Sequence, residues 1–170
     1  VVGDQSIQPN TGVYEWAIKV DNSEKVHAFV GLVTADAPLD SYIGCDTNGW
    51  GLIGTRGLWH NKVKIVADYG NGFSTGSVVY MRYDSDSQSL SFSVQGIDFG
   101  VAFTDLPNCP LFPAMSLFQP SDTVSIHEME RPTASLDART MQLPFIQYVQ
   151  LLCEETNTMI DKHTNANSTN

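Results

Sequence analysis

Between Val78 and Phe103 the chain alternates so regularly that it can adopt little besides extended structure. Val79, Met81 and Tyr83 stand two apart, and Leu90, Phe92 and Val94 alternate with Ser89, Ser91 and Ser93. That is the period of a strand with one buried and one wet face. Asp84 to Ser87 separate the two runs with polar turn chemistry, and Gln95-Gly96 turns the chain again into Ile97 and Phe99. A hairpin of this kind is scaffold: it carries no nucleophile, base or ligand cluster.

The rest of the chain up to Ile126 repeats the theme. In the segment 14–20, Trp16, Ile18 and Val20 share one face, with Glu15 and Lys19 among the residues opposite. The segment 28–33 is a nearly continuous apolar run, as expected of a central strand. Segments 111–117 and 123–126 form a last pair, and turns are marked at Asp21-Asn22, at 69–72 and at 120–122. Short strands at close spacing with no helix between them predict an all-β fold, a sandwich of antiparallel sheets.

After Arg131-Pro132 the pattern changes. Phe145, Tyr148, Val149, Leu152, Thr156, Met159 and Ile160 fall on one helical stripe, with Gln147, Gln150, Glu154 and Asp161 opposite and Pro144 suited to the first turn. The expected organisation is a sandwich over 1–130, a linker over 131–142, an amphipathic C-terminal α-helix over 143–163 and a disordered tail over 164–170. A lone helix of this length is marginal in water, so its stripe must dock, on its own sandwich, on a second copy or on a neighbouring domain.

Composition excludes several classes of partner. A net charge of −10 argues against nucleic acid and against an anionic membrane. Nothing approaches the length of a membrane span. Three widely separated cysteines without CxxC spacing indicate a reduced, intracellular protein, cytoplasmic or nuclear. No signal peptide begins the chain, which opens directly into polar sequence as a piece of a longer protein would.

The motifs that carry chemistry fail on inspection. The segment 49–54 matches GxGxxG, but Thr55-Arg56-Gly57 starts no helix, so a dinucleotide site is not expected. The run from Asp84 begins like a calcium loop, yet Ser89 and Gln95 stand where Gly and a bidentate Glu are needed. His127-Glu128 is not followed by the second histidine of HExxH, because position 131 is Arg. Cys45 and His60 are the nearest thing to a nucleophile and base, and a small buried thiol beside a loop histidine explains them as well. The expectation is a non-enzyme with no cofactor and no metal.

Taken in order, the segments resemble the SPRY domain, a bent β-sandwich used for protein recognition. Gly12-Val13-Tyr14-Glu15-Trp16 is similar to its opening strand, Phe29 to Thr34 to its second, and Gly44-Cys45-Asp46 through Trp50-Gly51-Leu52 to its central segment. Tyr69-Gly70, Phe73 and Gly76-Ser77-Val78-Val79 resemble the stretch that usually reads Y-G, F, G-D-V-V, with Ser77 in place of Asp. Leu90 to Gly96 followed by Gly100-Val101-Ala102-Phe103, and Leu111-Phe112-Pro113-Ala114-Met115-Ser116-Leu117, complete a likeness over roughly 3–127. Gly31, Gly44 and Gly51 then read as points of close strand approach or bulges, and Gly96 as a positive-φ turn.

The resemblance implies a non-catalytic module that captures a protein or peptide through loops at one end of the sandwich. Here those loops are 34–42, 46–50, 55–60 and 118–122. Tyr42, Arg56, Trp59 and Phe118 are the residue types that anchor interfaces, with Asp36, Gln119 and Asp122 available for polar specificity. Trp50 and Trp59 have a second reading as plugs of the sandwich. Well-known peptide-binding members carry a longer Tyr loop and a Trp-Gly in the last loop, where this chain has Asp40-Ser41-Tyr42 and Phe118-Gln119-Pro120, so their peptide motif does not transfer. The parent protein implied is a multidomain ubiquitin-ligase subunit or scaffold. The alternative is a packing domain within a large assembly, such as a calcium-release channel or chromatin complex, docked through the helix.

Overall fold

The computed structural model describes residues 1–127 apart from Glu24, so the linker, helix and tail expected over 131–170 lie outside the described residues. Ten strands follow in order: β1 (Val13–Asn22), β2 (Phe29–Val33), β3 (Gly49–Ile53), β4 (Leu58–His60), β5 (Val63–Val66), β6 (Val78–Asp84), β7 (Ser89–Val94), β8 (Ile97–Phe103), β9 (Phe112–Ser116) and β10 (Thr123–His127). They form two antiparallel five-stranded sheets, β10-β1-β6-β7-β8 and β5-β4-β3-β2-β9. The alternating hairpin is the middle of the first sheet, and the apolar run of β2 lies between β3 and β9 in the second. Segments 49–53 and 58–60, expected as loops or only as parts of a motif, are strands. Their glycines and single Trp and His conceal the alternation.

The alternating residues meet between the sheets. Ile18, Val20, Val79, Met81, Tyr83, Leu90, Phe92 and Val94 face Val30, Leu32, Leu52 and Leu58 in one buried cluster, closed by Tyr69, Phe73, Leu106 and Leu111 from the connections. Trp50 joins this core and stacks on His60 with ring centroids 4.9 Å apart, so its plug reading is the one the structure shows. Burial of this many aliphatic and aromatic side chains, each contributing roughly 1.5–3 kcal/mol, holds the sheets together.

Two turns show how local chemistry sets the register. Gln95 and Gly96 both take positive φ, 51° and 80°, the two-residue turn whose twist matches a hairpin. At the other end of β7 the Asp84 carboxylate accepts the amides of Asp86 and Ser87 at 3.0 and 3.2 Å. Those donors, Ser87 first, hold the carboxyl below its ordinary pKa. Ser85, which reads as a wet turn residue, is fully buried. Its hydroxyl donates to the Gly12 carbonyl at 2.8 Å and accepts the Thr11 amide at 2.9 Å, tying the turn to the segment entering β1.

β2 and β3 are buried on both faces, which requires a second cover outside the sandwich. Gly31 lies opposite Gly51 on one side and Ala114 on the other, and Gly51 lies opposite Trp59. This row of minimal side chains lets the 34–48 connection lie flat on the sheet. A Cβ on Gly31 would stand 1.9 Å from the Trp50 carbonyl oxygen, and one on Gly51 would stand 2.9 Å from Ile43 Cγ2. Ile43 packs there with Phe29, Val33, Ile53 and Ala114 in a separate buried cluster, flanked by Ala37 and Trp59. The glycines therefore serve close approach rather than bulges, for the β2–β3 register is unbroken.

Two tests follow from this packing. Gly31→Ala is expected to lose about 1–3 kcal/mol, the range for overpacking, as a lowered urea midpoint with an unchanged slope. An unchanged midpoint would mean that the sheet absorbs the methyl group. The second concerns Tyr69, whose hydroxyl donates to the Gly100 carbonyl at 2.5 Å and accepts the Phe92 amide at 3.3 Å. Burial above all raises its pKa from 10.0 to about 12, with the Asp98 charge adding to the rise and the Phe92 amide opposing it. The unfolded chain then releases this proton first, so stability is lost as pH rises from about 10 towards 12. Urea midpoints across that window should fall more steeply for the parent than for Tyr69→Phe, and parallel curves would remove Tyr69 as the cause.

Candidate functional site

The cover on the second sheet stops short of Phe29 and Ile53, and there it leaves a groove of about 780 Å³. Its floor is Phe29, at the start of β2, and Ile53, its cross-strand partner at the end of β3. Tyr42 and Leu39 come from the 34–48 connection, Trp59 from β4, His27 from the approach to β2, and Leu117 and Phe118 from the β9–β10 turn. Five separate parts of the chain thus supply one concave, largely apolar surface, the usual form of a ligand site.

The aromatic rings brace one another. Tyr42 stacks on Phe29 with centroids 5.2 Å apart and meets Trp59 edge-on at 5.8 Å, and Trp59 meets Phe29 at 6.3 Å. Phe118 is held edge-on by His27 at 5.2 Å yet remains 57% exposed. Such pairs are worth roughly 0.5–1.5 kcal/mol beyond area burial, so the rings are largely set in place before any partner arrives. The Trp59 indole nitrogen is buried with no hydrogen-bond partner among the described residues.

Three of the residues singled out in the sequence, Tyr42, Trp59 and Phe118, are brought together here. The other four are placed differently. Asp122 is buried under the β9–β10 turn, where Oδ2 accepts the amides of Phe118 and Gln119 at 3.0 and 2.9 Å. It shapes the backbone that presents Phe118 and is not open to the groove. Gln119, half-buried, is held in that same turn through its amide. Arg56 lies in the β3–β4 turn with φ at 73° and pairs with Asp68 at 3.0 Å, outside the groove lining. Asp36 is exposed just after β2, its amide 3.4 Å from the Thr34 hydroxyl, and is likewise outside the lining.

Phe29, Ile53, Leu39 and His27 were not anticipated. Phe29 belongs to the apolar run 28–33 and is buried as that run requires, and Ile53, which the sequence places only within the GxGxxG segment, is buried beside it. The overlooked signal is that an unbroken apolar strand needs cover on two faces, and no cover supplied by short loops need be complete. Chemistry is sparse throughout. His60 donates its Nδ1 proton to the Gly49 carbonyl at 2.9 Å while stacked on Trp50, which commits one face and one nitrogen of the ring to structure. The GxGxxG residues form β3 and its exit, antiparallel to both neighbours. Among the described residues no three of His, Cys, Asp and Glu gather as a metal site would require.

Known proteins of similar sequence and shape agree with this architecture. The dual specificity protein kinase splA of Dictyostelium discoideum is 32% identical over 116 residues, covering 67% of this chain and 5% of that protein. The SPRY domain-containing SOCS box protein 1 of Homo sapiens is 30% identical over 119 residues, 62% of this chain and 44% of that one. The Ran-binding proteins 9/10 homolog of Drosophila melanogaster is 24% identical over 127 residues, 74% of this chain and 13% of that one. The chain thus spans less than half the length of these relatives. Among solved structures, the SPRY domain of human HERC1 superposes with a TM-score of 0.66 at 18% identity, over 76% of this chain and 82% of that one. The PSpry domain of TRIM65 gives 0.59 at 23%, over 76% and 70%. Both are likenesses of fold. A family model for the SPRY domain matches residues 13–130, and the chain belongs to the SPRY domain family.

Proposed function

We propose that this chain is the partner-capturing part of a larger protein, a ubiquitin-ligase subunit or scaffold, and that it holds a protein or peptide in the groove between Tyr42, Trp59 and Phe118. SPRY domains are protein-interaction modules, generally without catalysis, so recognition is the class of function the family carries. The observation that bears the specific reading is the groove. It is apolar and aromatic-walled, it is braced before binding, and it is formed by the convergence of distant loops. Relatives named for a SOCS box favour the ligase-subunit side of the reading.

Aromatic anchors in such a site commonly carry 2 kcal/mol or more each, roughly thirtyfold in affinity. Tyr42→Ala and Phe118→Ala should keep the fold, as an unchanged far-UV circular dichroism spectrum and a cooperative urea transition would show, with the midpoint lowered by loss of the Tyr42 stacking. Partners captured by the parent chain are expected to be lost or weakened at least tenfold by the pair. Val101→Ala, exposed on β8 of the other sheet, should change nothing. Partners retained by Tyr42→Ala/Phe118→Ala and lost on changes elsewhere would move the site away from the groove. Capture of nothing by the parent chain would favour a packing domain of a large assembly.

A further inference from the structure

Two lysines stand against the groove's aromatic walls, outside its lining, in a chain whose net charge is −10. Lys64 Nζ lies 5.5 Å from the centroid of the Trp59 ring, and Lys25 Nζ lies 5.9 Å from that of Phe118. The two lysines therefore stand over the two aromatic walls that would clasp an occupant. The ion pairs formed among the described residues are Arg56–Asp68 and Arg82–Glu15, so neither rim lysine is matched to a described carboxylate. Asp40 is the one carboxylate in the lining.

We propose that the groove's occupant is a segment of a partner protein with an aliphatic or aromatic anchor flanked by aspartate or glutamate. This rests on the groove being the capture site and adds the chemistry of what is captured. An anchor seated on Phe29 and Ile53 excludes water from both walls, and an ammonium ion losing water there needs an opposite charge. Carboxylates on either side of the anchor supply it, because a lysine held against a ring face keeps its other side and its protons outward. A basic segment would bring like charges to both rims and leave the lysines unmatched, which discriminates against it.

A library of random dodecapeptides displayed on phage, selected on the full chain and counter-selected on Tyr42→Ala/Phe118→Ala, tests this directly. Selected peptides should share an apolar residue with Asp or Glu near it. The best of them, fluorescently labelled, should bind Lys25→Glu/Lys64→Glu at least tenfold more weakly, whereas Lys19→Glu on β1 should bind it as the parent does. Replacing the peptide's acids by lysine should restore binding to Lys25→Glu/Lys64→Glu, a reversal that mere damage to the fold cannot produce. Groove-dependent peptides with no acidic preference, or indifferent to charge reversal at the lysines, would overturn this inference and leave the groove as the capture site. If every selected peptide also binds Tyr42→Ala/Phe118→Ala, or none is selected, both readings fall. Self-association of the chain that these peptides displace would identify the acidic partner as a second copy.

Discussion

The row Ala114–Gly31–Gly51, crossing three strands of one sheet and ending against Trp59, is the constraint on which the rest of this structure depends. A sheet that presents almost no side chain along one line can be approached to backbone distance. The 34–48 connection takes that opportunity: Ile43 lies against Gly51, and the Ile43 amide bonds the Ser116 hydroxyl at 3.2 Å. Neighbouring rows carry Phe29, Val33 and Ile53, which would be an exposed apolar face without the cover. One loop thereby buries the outside of β2 and β3 and delivers Tyr42 to the edge of the covered area. The groove is the boundary of this second small core, where the cover ends and the aromatic floor continues.

The first sheet contributes in a different way. Its alternating strands supply half of the main core and none of the groove lining, and its turns are closed by internal polar contacts. Buried Ser85 spends its hydrogen bonds on a backbone amide and a backbone carbonyl, as buried polar groups must, and the more exposed Asp84 carboxylate accepts two amides of its turn. Asp122 Oδ2 accepts two amides in the turn that carries Phe118, while its Oδ1 is buried without a partner among the described residues. Rigidity at these turns bears on recognition, because a ring already held in its bound position loses less entropy when a partner closes on it.

Much of the fold is legible in the residues because alternation is a strong signal where one face is wet. Val79, Met81, Tyr83, Leu90, Phe92 and Val94 are all buried, as their spacing requires. β3 and β4 were hidden for the opposite reason. A strand reading Gly-Trp-Gly-Leu-Ile has no polar face, and its glycines resemble turn punctuation until their role in close packing is known. The site was half legible. Residue type pointed to Tyr42, Trp59 and Phe118 as interface anchors, though it left Trp59, which lies on β4, equally readable as a plug of the sandwich. It could not separate Asp122, which bonds backbone beneath its loop, from an acid that faces a partner. Nor could it show that Phe29, a buried strand residue, also floors a groove, because that depends on where the 34–48 connection ends.

The lysines illustrate a wider point about charge. A net charge of −10 describes the far field and argues against polyanionic partners such as nucleic acid. At contact distance the relevant quantity is local. Within a Debye length of about 8 Å at physiological ionic strength, a lysine on a ring face outweighs carboxylates on the opposite sheet. Lys25 and Lys64 are unremarkable in sequence, separated by thirty-nine positions. The β-sandwich brings one to Phe118, in the turn after β9, and the other to Trp59, on β4, so that the two flank the groove floored by β2 and β3 between them. Under the proposed reading, the net charge disfavours polyanions at long range while two lysines beside the groove favour a short acidic segment at contact.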